Sequence, residues 1–113
     1  MAPTDATTGS MSSMQTRTVD LDGPVNVADF GGSGPPMVLV HGLGGSHLDW
    51  MDTGPRLAER AHVLAPDLIG HGRTPLEGRS ASVSSNVELL DRFIVEVAGS
   101  PAVVVGNSMG GLI

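Results

Sequence analysis

The segment Val103-Val104-Val105-Gly106-Asn107-Ser108-Met109-Gly110-Gly111 runs from three β-branched residues straight into a G-x-S-x-G motif. An apolar run that ends on such a motif reads as a nucleophile elbow, a sharp strand-to-helix turn that presents a serine hydroxyl. The turn strains its backbone, so the positions two before and two after the serine must be small. Gly106 and Gly110 meet that demand, and Gly111 lets the following helix approach closely. The bland alternative, a glycine-rich turn with an incidental serine, does not explain why a strand feeds it. Ser108 is therefore the candidate nucleophile.

Upstream, the pattern alternates between two periods. Thr16 to Leu21 reads as a strand, Asp22-Gly23-Pro24 as a turn, and Val25 to Phe30 as the hairpin partner. Gly31-Gly32-Ser33-Gly34-Pro35-Pro36 is a loop, and Met37 to Val40 a short apolar strand ending at His41-Gly42. Leu48 to Arg60 contains a helix with Pro55 near its first turn. Ala61 to Ala65 is a second buried strand, ending at Pro66-Asp67. Ser85 with Glu88 makes a capping box, after which Val87, Leu90, Ile94 and Val97 recur at helical spacing until Gly99. Ala102 to Val105 is the last strand. Such alternation predicts an α/β fold: a mainly parallel sheet with an N-terminal antiparallel hairpin and helices on both faces. Ligand sites in these sheets lie at the carboxyl ends of the strands, where His41-Gly42, Asp67 and Ser108 all fall.

His41-Gly42-Leu43-Gly44-Gly45 follows the first central strand directly. Acyl transfer needs donors for a developing oxyanion, and backbone N–H groups in a fixed loop serve without reorganisation. The Leu43 N–H and the Met109 N–H, behind the serine, are the natural pair. A dinucleotide-binding loop is the competing reading of Gly42-Leu43-Gly44. It fails because His47 stands where the third glycine belongs.

Composition narrows the chemistry further. The 113 residues carry a net charge of −6, with six arginines and no lysine, which argues against a nucleic-acid or anionic-membrane surface. Absent lysine excludes a P-loop lysine and Schiff-base chemistry; absent cysteine excludes a thiol nucleophile, disulfides and Cys-ligated zinc. No clustered metal pattern and no cofactor fingerprint occur, so neither a metal nor a cofactor is expected. No apolar run approaches a membrane span, and Met1 to Arg17 lacks the features of a secretory signal, so a cytoplasmic protein is the default expectation. Residues 1–15, rich in Ser, Thr, Ala and Met, read as a disordered leader to a single domain over 16–113.

Taken in order, His41-Gly42-x-Gly44, Asp67-x-x-Gly70-x-Gly72-Arg73-Thr74 and the Ser108 elbow make the chain resemble the first half of an α/β-hydrolase, from Thr16 to Ile113. The resemblance implies a serine nucleophile at Ser108 and an oxyanion hole at Leu43 and Met109, supported by His41, Gly42, Gly106 and Gly110. It implies cleavage of an ester or related acyl bond in a small apolar substrate. The form G-N-S-M-G-G is also similar to elbows of carbon–carbon bond hydrolases acting on aromatic ring-fission products.

The family places its acid and base after the elbow, so the chain is expected to lack both and to be inactive alone. His41 is expected to be a hydrogen-bonded structural residue of the oxyanion loop. His47 and His62 show no metal or catalytic spacing, and His71 is a weak candidate base. Asp67 and Gly70 to Thr74 are expected mainly to shape their own loop, and Trp50 to pack. An incomplete sheet would leave Ala102 to Val105 as an apolar edge, favouring poor folding or self-association. A non-catalytic binding module completed by a partner chain is the reading from a different class.

Overall fold

A computed structural model describes residues 14–107. β1 (Gln15–Asp20) turns through Asp22 and Gly23 into β2 (Pro24–Gly31), an antiparallel pair in register from Gln15 opposite Asp29 to Asp20 opposite Pro24. The Asp20 carboxylate closes the turn by accepting the Gly23 N–H at 3.0 Å. After the glycine-proline loop come β3 (Pro36–Val40), a 3-10 turn (His47–Trp50) and α1 (Thr53–Leu57). Then follow β4 (His62–Pro66), α2 (Val83–Phe93), a π-helical turn (Ile94–Ala98) and β5 (Val103–Gly106).

The strands form one mixed sheet in the order β1-β2-β4-β3-β5. β4, β3 and β5 run parallel, and the N-terminal hairpin joins them through β2, antiparallel to β4. This is the expected fold class, an α/β sheet whose central strands are parallel and which carries an N-terminal antiparallel hairpin.

Alternate residues of the central strands feed two cores, because successive side chains of a strand point to opposite faces. Val38, Val40 and Leu64 pack with Leu89, Leu90 and Phe93 of α2 on one face. Leu39, Val63 and Ala65 pack on the other with Phe30, Trp50 and Leu57. The connections leaving β3 and β4 therefore turn to opposite faces. In an open α/β sheet the usual ligand position is the crevice at the carboxyl ends between two such neighbours.

One local reading holds and another needs correction. The helix expected within Leu48–Arg60, with Pro55 near its first turn, is α1, only five residues long and separate from the 3-10 turn before it. Pro55 is the cause: it lacks an N–H, and its ring would clash with the carbonyl of Met51 in a continuous helix. α1 sits close on the sheet because Gly54 has no side chain; a Cβ there would lie 2.8 Å from Phe30 ring carbons.

The correction concerns α2. It begins one turn before the foreseen capping box, with Ser82 as the N-cap, its hydroxyl accepting the Ser85 N–H at 3.1 Å. Its buried stripe is Asn86, Leu89, Leu90 and Phe93, while Val87 is 40% exposed. Asn86 explains the rotation. Its amide is fully used, accepting the Ile69 N–H at 3.0 Å and donating to the Ser82 carbonyl at 3.1 Å, so a polar residue occupies the core face.

β5 pairs only with β3 among the described residues. Val103 and Val104 are 51% and 47% exposed.

Candidate active site

Three segments converge at the carboxyl ends of β3, β4 and β5. His41 leaves β3 completely buried. Its Nε2 accepts the Leu68 N–H at 3.0 Å. The other ring nitrogen must then carry the proton, and Nδ1–H donates to the Gly42 carbonyl at 2.8 Å. Burial pushes the His41 pKa below the usual histidine range, against the opposing pull of the Gly42 carbonyl. The ring is thus a neutral, fully engaged tie between the exits of β3 and β4.

The Gly42 carbonyl also accepts the Gly45 N–H at 2.9 Å, closing Gly42–Gly45 into a tight turn with Gly44 at φ +79°. The turn carries Leu43 outward, with 76% of its surface exposed. Its N–H has no acceptor among the described residues. Ser46 then caps the 3-10 turn, its hydroxyl accepting the Leu48 N–H at 3.1 Å.

Asp67, at the exit of β4, is fully buried and draws donors from two other segments and from its own loop. Oδ1 accepts the His47 N–H at 2.6 Å. Oδ2 accepts the Arg73 N–H at 3.0 Å and the Asn26 side-chain amide at 3.0 Å. The His47 ring lies against both oxygens, its Nδ1 3.0 Å from Oδ1 and 2.9 Å from Oδ2. Burial alone would raise the Asp67 pKa, but the N–H groups of Arg73 and His47, the Asn26 amide and the His47 ring outweigh it and hold the pKa below the usual carboxylate range. With the acid ionised, His47 Nδ1 is the donor.

The Gly70–Thr74 loop wraps the same carboxylate. Gly72, at φ +53°, leaves room for it: a Cβ there would overlap Asp67 Oδ2. Thr74 Oγ1 accepts the Asn26 N–H at 2.9 Å, and the Asn26 carbonyl accepts the Asp67 N–H at 2.9 Å. Asn26 on β2 therefore locks both ends of the motif.

β5 delivers the third segment. Gly106 stands opposite Val40, and the Asn107 N–H donates to the Val40 carbonyl at 3.1 Å. The chain thus arrives beside His41-Gly42. Ser108, Met109 and Gly110 lie outside the described residues.

The remaining histidines sit as follows. His71 is half-buried, its Nδ1 3.1 Å from the Ile69 carbonyl and its ring centroid 5.0 Å from that of His41. His62 lies away from the crevice, 3.2 Å from Asp29. Trp50, the last residue of the 3-10 turn, packs against the core formed by Phe30, Leu39 and Val63. Among the described residues no three His, Cys, Asp or Glu side chains are grouped to hold a metal ion, and no helix is long and apolar enough to cross a membrane.

Asn26 and His47 were missed by sequence reasoning. His47 lies 20 residues from Asp67 and Asn26 lies 41 residues from it, and no spacing rule joins them. A polar residue inside an otherwise apolar strand, Asn26 between Val25 and Val27, was the available signal.

A model of the Alpha/beta hydrolase family matches residues 37–113, more than half the chain. The chain belongs to this family. It is 36% identical over 90 residues to lipase LipV of Mycobacterium tuberculosis, a match covering 79% of this chain and 34% of that protein. Similarity to the pimeloyl-[acyl-carrier protein] methyl ester esterase of Aeromonas hydrophila is 35% over 89 residues, covering 79% and 34%. Among solved structures, a bacterial membrane phospholipase A superposes with a TM-score of 0.82 at 28% identity, over 89% of this chain and 34% of that one. Against other curated relatives, from Mycobacterium, the chain spans 24% of their length. As an α/β-hydrolase sequence, it carries His41-Gly42 and Asp67 at the carboxyl ends of β3 and β4 described above.

Proposed function

We propose that the chain is the nucleophile-bearing part of a serine hydrolase that cleaves an ester or related acyl bond. The observation that carries the reading is the Asn107 N–H on the Val40 carbonyl at 3.1 Å, which brings the approach to the elbow beside the Gly42–Gly45 turn. In this reading Ser108 attacks the acyl carbon, and the N–H groups of Leu43 and Met109 receive the oxyanion. His41 and Gly42 shape the first donor loop, and Gly106 and Gly110 make room for the elbow. The exposed Leu43 favours an apolar acyl group. Relatives named lipase and methyl ester esterase support ester over carbon–carbon cleavage.

Residues 16–113, together with Gln15 that opens β1, then form the N-terminal part of the hydrolase domain, with the base and acid supplied from outside these residues. Without a base a serine hydroxyl is a weak nucleophile at neutral pH. The purified chain should therefore hydrolyse a short-chain nitrophenyl ester no faster than its Ser108→Ala variant.

The decisive test places residues 37–113 in the matching segment of LipV. A folded chimaera whose ester turnover depends on Ser108 supports the reading; a folded chimaera with no such dependence overturns it.

The exposed valines of β5 favour a second reading, a binding module whose open edge takes a strand from another chain or copy. Light scattering on the purified chain checks it, and a monodisperse monomer with a sharp melt argues against self-association.

A further inference from the structure

The turn that carries Leu43 is held at both ends by two consecutive residues of another segment. Its entry is fixed by the Leu68 N–H on His41 Nε2 at 3.0 Å. Its exit is fixed by Asp67 Oδ1, which accepts the His47 N–H at 2.6 Å, while the His47 ring lies against the same carboxylate. Gly42 is buried beside the entry tie, but from Leu43 to Ser46 nothing is: Leu43 and Gly44 are exposed, Gly45 and Ser46 half-exposed. Packing does not hold that stretch, so its shape depends on the ties and on the Gly45 N–H to Gly42 carbonyl bond within the turn. Both ties are desolvated, where a hydrogen bond is strong and a lost partner is costly.

We propose that Asp67 is a positioning residue for the proposed oxyanion hole: through His47 it fixes the exit of the Leu43 turn, as Leu68 through His41 fixes the entry. Its catalytic consequence rests on the serine-hydrolase reading; its structural content does not. The motif loop after β4 then does more than shape itself. It sets the geometry of the donor loop after β3, across the crevice. The arrangement also explains why so buried a carboxylate is kept ionised and surrounded by donors, when an apolar residue would fill the same space without the cost of burying a charge.

Asp67→Asn tests the idea with little change of shape. An amide keeps one acceptor oxygen. The Arg73 N–H and the Asn26 amide share Oδ2, so the oxygen stays with these two donors and the NH2 group faces the His47 N–H. The exit tie is the one lost.

Backbone ¹⁵N relaxation on the full chain reads the result. Order parameters of Leu43 to Ser46 should be near 0.85 in the parent chain and fall below about 0.6 in Asp67→Asn, with Val38–Val40 and Val63–Ala65 unchanged. A turn that is already mobile in the parent, or that stays ordered in the variant, overturns the proposal.

If Asp67→Asn does not fold, His47→Ala removes only the ring and should still lower the order parameters of the turn by roughly 0.1 or more with the core intact. No change there overturns the proposal equally. In the LipV chimaera, Asp67→Asn should lower kcat on the order of 10- to 100-fold with KM within about twofold, as expected of a misplaced transition-state donor. A chimaera without Ser108-dependent turnover defeats the hydrolase reading while the relaxation result decides the clamp by itself.

Discussion

Gly72 and Gly44 share a left-handed backbone, at φ +53° and +79°, yet their surroundings differ completely. Nothing lies within 4 Å of a Cβ built on Gly44, whereas one built on Gly72 overlaps Asp67 Oδ2 and stands 2.7 Å from Oδ1. Alanine at either position meets the same conformational penalty, roughly 1–2 kcal/mol, partly offset by roughly 0.4–1 kcal/mol of lost freedom in the unfolded chain. Gly44→Ala should therefore cost about 1 kcal/mol. At Gly72 the carboxylate must also move, and hydrogen bonds to a charged group are worth about 1.5–3 kcal/mol each. Losing one or two of them brings Gly72→Ala to about 2.5–7 kcal/mol. Urea unfolding measures both, at protein concentrations low enough that the midpoint does not depend on concentration. Losses within about 1 kcal/mol of each other would refute the view that Asp67 is a tightly packed hub rather than an adaptable side chain.

Further expectations follow from the cores and the buried ionisable groups. Phe93→Ala, at a fully buried site, should cost about 3–5 kcal/mol, and Val87→Ala, on the exposed side of the same helix, about 0.5 kcal/mol or less; equal losses in denaturant would put the stripe elsewhere. Gly54→Ala drives a Cβ into the Phe30 ring and should destabilise by about 1–3 kcal/mol, read as a lowered thermal midpoint. The His41 pKa lies below its unfolded value of about 6.5, so the unfolded chain binds the proton first and stability should decline as pH falls below about 6.5. His41→Gln should flatten that decline. Asp67, also depressed, contributes stability that is present above about pH 3.9 and is lost as pH falls through its lower folded value. In Asp67→Asn that acid limb should be shallower.

The legible parts of the fold were those carried by local pattern. Short β-branched runs, glycine turns and the change of period placed all five strands to within a residue or two, because a strand buried on both faces must be continuously apolar. His41 was also readable as a structural ring, since it ends a buried strand where carbonyls and N–H groups need partners. The rotation of α2 was not, because it depends on Asn86 meeting the Ile69 N–H, a contact that exists only after β4 and α2 have docked. The same holds for His47 and Asn26. Their roles arise from where the β2–β4 register and the crevice bring them, and a polar side chain does not announce a partner 20 or 41 residues away.

The framework around the Leu43 turn also distinguishes the positions that are constrained from the one that is free to change. The ties at its ends use main-chain N–H groups of Leu68 and His47. Within the turn, Gly44 is constrained by its backbone, Gly45 by the Asp49 carboxylate against it, and Ser46 by its cap on Leu48. Leu43 alone points away from all of them. Its side chain is an interchangeable tip on a fixed mount. A saturation library at this one position would sample apolar, polar and aromatic tips at the mouth of the crevice, with each variant inheriting the same scaffold.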